Sequence, residues 1–153
     1  MTRFVAPLTV LLLALVPVAC GGSDAPSKDE FVKNAEQICS DAAKQLNDLG
    51  KATTPEEVAD QLDKVIDETQ KSVDDLSELE RPEGDAGKQA QRFVAALESD
   101  IEDKGIPALE KLRDAIKDKD TQAAQQAYQQ LAAIETTDSD KLAKQLGADG
   151  CAD

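Results

Sequence analysis

Apolar side chains recur every three or four positions along most of the chain, and short polar stretches that start and stop helices separate the runs. The first stripe is Phe31, Ala35, Ile38, Ala42, Leu46 and Leu49. It opens on Ser27-Lys28-Asp29-Glu30, a capping box in which the serine accepts from the third helical amide and the glutamate reaches back, and it ends at Gly50. Thr54-Pro55-Glu56-Glu57 is a second capping box, with proline at the first helical position, where its missing N–H costs nothing. Val58, Leu62, Val65, Thr69, Val73 and Leu76 follow at the same spacing as far as Leu79, and Arg81-Pro82-Glu83-Gly84 stops the helix. The opposite face of this element, Asp60, Asp63, Lys64, Asp67, Glu68 and Lys71, reads as an ordinary solvated surface with some charge pairing.

The third stripe begins near Asp85, carries Ala90, Phe93, Leu97 and Ile101 into Gly105-Ile106-Pro107, and resumes at Leu109, Leu112 and Ile116. The two parts are nearly in phase, which predicts one long element with a kink or a one-turn break. The fourth starts at Asp120 or Thr121 and presents Ala124, Tyr128, Leu131 and Ile134. It frays or breaks between Thr136 and Ser139, resumes with Leu142 and Leu146, and has Gly147 as its C-cap. Tyr128 is expected at the edge of the core with its hydroxyl in water. Four stripes with short connections predict an all-α domain over residues 28–153, an antiparallel up-down-up-down four-helix bundle whose third helix is kinked or broken.

Residues 1–19 have a different pattern. Arg3 is followed by an apolar run from Val5 to Val16, which stops at Pro17-Val18-Ala19-Cys20. The run is well short of the roughly 20 residues of a membrane-spanning helix and has the layout of a secretory signal. Ala19 before Cys20 and Gly21-Gly22-Ser23 after it resemble the lipobox of bacterial lipoprotein signal peptides, although Pro17 stands where that pattern prefers leucine. The resemblance implies cleavage before Cys20, diacylglycerol on its thiol, and a further acyl chain such as palmitate on the new amino group. Two or more chains anchor a protein stably where one is marginal. Residues 20–27, small, polar and proline-containing, read as a flexible tether.

Charge narrows the field of partners. The formal net charge is -14, and loss of residues 1–19 removes only Arg3, leaving 16 basic against 31 acidic side chains. Nucleic-acid binding rests on clustered Lys and Arg, so no nucleic acid is expected as a partner. Repulsion from an anionic bilayer should also make the domain stand off the surface on its tether.

Three cysteines are an odd number for an exported protein, but with Cys20 consumed by lipid, Cys39 and Cys151 remain as a pair. In an oxidising compartment these two are expected to form a disulfide joining the first helix to the C-terminal end. Nothing beside Cys39 in the sequence, where Ile38 and Ser40 flank it, would activate it as a nucleophile.

No catalytic constellation is visible. The chain has no histidine, so neither a Ser–His arrangement nor the Glu-x-x-His pairs of a di-metal bundle can be built. Asp118-Lys119-Asp120-Thr121-Gln122 begins like a calcium loop, but Ala123 stands where the turn needs glycine and Gln129 where a bidentate glutamate should close it; Asp138-Ser139-Asp140 fails likewise. The acidic run Asp74, Asp75, Glu78 and Glu80 reads as a solvated face. No metal, cofactor or catalytic residue is assigned.

The stretch Phe31-Val32-Lys33-Asn34-Ala35-Glu36-Gln37-Ile38-Cys39, the segment Leu79-Glu80-Arg81-Pro82, and Leu146-Gly147 followed by Cys151 resemble small, largely uncharacterised lipoproteins of high-GC Gram-positive bacteria. That resemblance implies an extracytoplasmic helical domain with the two cysteines bridged and supplies no activity. The expected function is a non-enzymatic binding or interaction module, held on the outer face of the cell membrane by lipid on Cys20 and meeting an envelope protein. The alternative is a carrier or sensor for a small apolar or cationic ligand held between the helices.

Overall fold

The computed structural model describes residues 25–49 and 51–152. The expectations for residues 1–24, that of lipid on Cys20 among them, and for the stop at Gly50 lie outside the described residues. Within them the chain is all-α: α1 (Lys28–Leu49), α2 (Pro55–Glu78), α3 (Gly84–Asp100), a π-helical turn (Ile101–Gly105), α4 (Ile106–Lys117), α5 (Thr121–Ala132), α6 (Thr137–Leu146) and a closing 3₁₀ turn (Asp149–Cys151).

The start signals act unequally. At α2 the capping box is complete, with Glu57 N–H donating to Thr54 Oγ1 at 3.2 Å and Thr54 N–H to Glu57 Oε2 at 3.2 Å. At α1 only half of it forms: Glu30 N–H donates to Ser27 Oγ at 3.2 Å. The Glu30 carboxylate makes no bond within the described residues and turns outward, a departure that matters for the site below.

The interruption in the third element is a widened turn. Pro107 has no N–H to give the preceding turn, and its ring crowds the carbonyl four residues back. The backbone opens by one residue, so that Ile106 N–H reaches Ile101 O, and α3 continues into α4 through this turn without a gap in the helical run. The fourth element, by contrast, divides. Asp120 caps α5 by accepting from Ala123 N–H at 3.0 Å, and α5 packs on α4 while α6 packs on α3. Gly147, at φ +89°, ends α6, and Ala148 N–H closes back on Ala143 O at 2.9 Å.

Two apolar clusters result. The larger gathers Phe31, Ala35, Leu76, Ala90, Phe93, Val94, Ala143, Leu146 and Ala152 from α1, α2, α3, α6 and the C-terminal turn. The smaller centres on Leu62, Val65, Ile66 and Leu109, with Leu112, Ile116 and Leu131 against it, and belongs to α2, α4 and α5. Gly87 lets the turn before α3 close tightly, because a Cβ there would lie 2.0 Å from the Pro82 carbonyl oxygen.

Several expectations need correction. Tyr128 is 63% exposed instead of sitting at the core edge. The buried position on α5 is Ala127, one residue earlier, and a step of one residue turns a side chain about 100° around the helix. The α1 stripe fades after Ala42, leaving Leu46 half exposed, because the main partners of α1 are α2 and the closing turn. Asp63, on the face read as solvated with some charge pairing, stays partly exposed and makes its pairs across to α4, a partner helix the sequence did not name: Lys117 Nζ donates to it at 2.7 Å and Arg113 Nη1 at 3.1 Å. These contacts hold its carboxyl below the usual range, the Lys117 hydrogen bond foremost.

The turn between α4 and α5 places Lys119 at φ +57°, a region that penalises any residue with a Cβ. Lys119→Gly should therefore stabilise the domain by up to about 1 kcal/mol. Urea unfolding is the check, and an unchanged or lower midpoint would contradict it.

Candidate functional site

The disulfide expected between Cys39 and Cys151 is present, with Cα atoms 5.3 Å apart across 112 residues of sequence. It fastens the closing turn to the middle of α1. Gly150 N–H adds a hydrogen bond to Glu36 Oε1 at 3.1 Å, and Ala148 and Ala152 on either side are buried.

The three segments behind the sequence resemblance are distant along the chain, and the fold gathers them at one end. Phe31 and Ala35 from the first, Leu79 from the second, and Leu146 and Cys151 from the third all belong to the larger apolar cluster or pack on it. Arg81 joins them by lying over the Phe31 ring, 5.4 Å from its centroid, an attraction between cation and ring face. Its guanidinium also donates to the carbonyls of Ser77, at 3.2 Å, and Leu79, so it caps the end of α2. Burial pulls the Arg81 pKa down from its ordinary value.

Above this cluster a groove of about 510 Å³ runs between the start of α1 and the end of α2. The half-buried Ile38 and Leu79 supply its apolar floor over the buried Phe31, and the exposed Asn34, Glu30, Asp75, Glu78 and Glu80 its edges. Pro26, just before α1, closes one end, so the chain leading from Cys20 enters the domain beside the groove. A smaller hollow of about 140 Å³ continues it along the same pair of helices, sharing Ile38 and Asp75.

Acidic residues outnumber basic ones in the chain, 31 to 17, and only some carboxylates have a cation beside them, among them Asp41 with Lys44 at 2.6 Å, Asp85 with Lys88 at 3.0 Å, Asp100 with Lys104 at 2.6 Å and Asp63 with Lys117 at 2.7 Å. Glu30, Asp75, Glu78 and Glu80 have no ion pair or side-chain hydrogen bond among the described residues, and no Lys or Arg lines the groove. The last turn of α2, like those of α1, α3 and α5, carries no basic residue, and at α2 the guanidinium of Arg81, just past the helix, meets the partial negative charge of its end. The run that read as a solvated face thus contributes three of its four members, Asp75, Glu78 and Glu80, to a concave acidic edge. No signal in the sequence singles it out, because α1 and α3 also end on acidic residues with no basic one in their last turns.

A second polar constellation lies where the two interrupted elements meet. Asp100, at the last residue of α3, is 9% exposed, and Ser139 on α6 is fully buried. The Ser139 hydroxyl donates to Asp100 Oδ2 at 2.7 Å and lies 2.9 Å from the Thr136 carbonyl oxygen, while Lys104 Nζ donates to Asp100 Oδ1 at 2.6 Å. Burial alone would push the Asp100 carboxyl up, but hydrogen bonds from Lys104 and Ser139, with the charge of Lys104, outweigh it and hold the group below its ordinary value. Ser139, expected in a frayed segment, is instead a fixed point of the fold. With no solvent access to its hydroxyl, it is a structural residue and not a nucleophile.

The two calcium-loop fragments serve as helix starts: Asp120 caps α5, and Asp140 accepts from Thr136 Oγ1 at 3.0 Å. Among the described residues no cluster of three acidic or cysteine side chains is placed to hold a metal ion. None of the described helices is long and apolar enough to cross a membrane. Comparisons with protein-family models, with curated proteins and with solved structures find no match. The functional reading therefore stands on geometry.

Proposed function

We propose that this chain is a lipid-tethered extracytoplasmic lipoprotein, anchored through Cys20, and that it works as a non-enzymatic interaction module of the cell envelope. The observation that carries the reading is the position of the acidic-edged groove. It lies between α1 and α2, beside Pro26, where a tether from Cys20 would enter the domain. A module held there would present the groove to neighbouring envelope proteins while its net negative charge keeps it off an anionic bilayer. The disulfide fits an oxidising compartment. We also read the architecture as an up-down-up-down bundle, with α3 and α4 as its third member and α5 with α6 as its interrupted fourth. Membership among the small helical lipoproteins of high-GC Gram-positive bacteria is part of the same proposal, supported by the convergence of the three resembling segments at one end.

The test has two parts. The denatured mass of the protein from its host membrane should equal residues 20–153 plus lipid, less two hydrogens for the disulfide. A photo-crosslinking residue at Asn34, in the groove, should capture a reproducible partner in intact cells, while one at the exposed Glu110 on α4 should not. A lipid-free mass would remove the anchor, and silence from Asn34 would remove the interaction reading.

One observation favours the ligand-carrier alternative. An apolar hollow of about 350 Å³ opens at the opposite end of α2, among Pro55, Ala115, Ile116 and Ala124, between α4 and α5. Its size is at the lower end of small-molecule sites. A ligand retained in the native but not the denatured mass would shift the reading to this hollow.

A further inference from the structure

We infer that the outer face of α5 meets the same face of a second copy of this chain, the two helices crossing about a two-fold axis with Tyr128 and the glutamines beside it at the contact. The surface is away from the groove between α1 and α2. The inference draws on the proposed tether only for the crowding of copies on one membrane.

Charge sets this helix apart. Charged residues make up 31% of the chain, yet residues 121–134, which include all of α5, contain no Asp, Glu, Lys or Arg. This is the longest uncharged stretch among the described residues, and every other described α-helix carries both signs. Support from within the molecule is thin. Ala127 is the one buried side chain of α5, and the helix packs chiefly on α4. A short surface helix ordinarily gains from charge pairs one turn apart along its outer face, and α5 has none. With Ala127 inward, steps of about 100° place Gln122, Gln125, Gln129 and Ala132 on the opposite side and Tyr128 at their flank. All five are exposed, and the glutamine amides and the tyrosine hydroxyl make no hydrogen bond within the described residues.

The chemistry of this face is complementary to itself. A glutamine amide and a tyrosine hydroxyl each donate and accept, so a row of them can satisfy its own copy across a two-fold axis, the commonest symmetry of paired chains. A face of one charge would repel its copy. Two chains of net charge -14 repel each other over most of their surface, and the uncharged side of α5 is where they approach at least cost. Tyr128 supplies exposed aromatic area there, of the kind that anchors protein interfaces. The contact is small. α5 has 12 residues, roughly 18 Å of helix, and a crossed pair of that length buries less than the roughly 1,200 Å² of a stable free dimer. Association is therefore weak between free chains and strengthened where copies share one surface.

The test places an aromatic photo-crosslinking residue at Tyr128 in the purified full chain, in detergent, over a series of protein concentrations. A covalent dimer should form in rising yield, with the cross-link mapping to α5 of the second copy. The same residue at the exposed Glu110 on α4 should give little dimer. Added salt should raise the yield, because it screens the repulsion between copies. Q125E with Q129E should lower the yield at least roughly fivefold by setting like charges against each other. Mixing that variant with Q125K with Q129K should restore a dimer of unlike chains cross-linked through α5, which guards against a folding defect. K64E makes the same change in net charge on the exposed outer face of α2 and should alter the yield less than about twofold. Equal loss from K64E would reduce the effect to net charge and overturn the site. So would an absence of dimer at every concentration, or capture from position 128 in intact cells of a different protein in place of a second copy. A lipid-free mass in the preceding experiment would remove the tether while leaving this titration readable.

Discussion

Reduction of the Cys39–Cys151 bond lowers the stability of the domain by up to about 5 kcal/mol, the loop-entropy figure for a closure of more than a hundred residues. The figure is a ceiling, because residual structure in the unfolded chain already restricts it. The loss should be a large part of the total, since a domain of this size is stabilised by roughly 5–15 kcal/mol. The effect should also be regional. Cys151 holds the closing turn, which buries Ala148 and Ala152 against α1 and sets Gly150 beside Glu36. On reduction, hydrogen exchange should accelerate first in the closing turn and the C-terminal half of α6, and later in α4 and α5, whose apolar cluster is separate. The measurement is thermal melting and amide exchange with and without dithiothreitol, repeated on C39S with C151S. An unchanged melting temperature would mean that packing of α1 on α2 and α3 carries the fold alone.

Ser139→Ala has the second largest effect, a destabilisation of about 2–3 kcal/mol, because it removes a hydrogen bond to a charged and nearly buried acceptor. Asp100 then keeps only Lys104, whose side chain is half exposed. The effect has a pH signature whose sign follows from linkage. The Asp100 carboxyl lies below its ordinary value in the folded state, so its contribution is complete above the unfolded pKa of about 3.9 and is lost as pH falls through the lower folded value. Removing Ser139 removes one of the causes of that lowering. The folded pKa rises, and the acid-unfolding midpoint of the variant moves to higher pH. Ser139→Thr should recover only part of the loss, since it keeps the hydroxyl and adds a methyl group where no exposed surface remains. If the alanine variant lost stability equally at pH 3 and pH 7, the hydroxyl would act through packing and the linkage to Asp100 would be wrong.

These two links explain why a chain of low aromatic content and strong net charge holds together. The disulfide joins the first helix to the last turn. The Asp100–Ser139 contact ties the widened turn between α3 and α4 to the start of α6, so the two interrupted elements are locked at their interruptions. Asp63, held by Arg113 and Lys117, does the same for α2 and α4 at the far end. The groove between the start of α1 and the end of α2 has four carboxylates along its edges and no Lys or Arg in its lining, and that concave placement makes it the candidate site.

Much of the fold was legible in the residues themselves. Thr54-Pro55-Glu56-Glu57 starts α2, Asp120 starts α5 and Gly147 ends α6 because capping depends on side chains within three or four residues of the backbone groups they satisfy. The apolar period located Phe31, Leu62, Phe93 and Leu146 in the core for the same local reason. Cysteine counting found the pair because only two thiols remain once Cys20 is set apart. What tertiary structure decided was the fate of each interruption and the surroundings of each charge. Pro107 widens a continuous helix, while the weaker signals around Thr136 divide one, because α5 and α6 meet different partners. Tyr128 turns to solvent and Ser139 to the interior, an outcome set by which helix lies opposite. Glu30, Asp75, Glu78 and Glu80 are unremarkable in sequence. They become a site only when two helices, joined by a connection some distance away, bring them to the edges of one groove, because electrostatic environment depends on through-space neighbours that spacing along the chain does not specify.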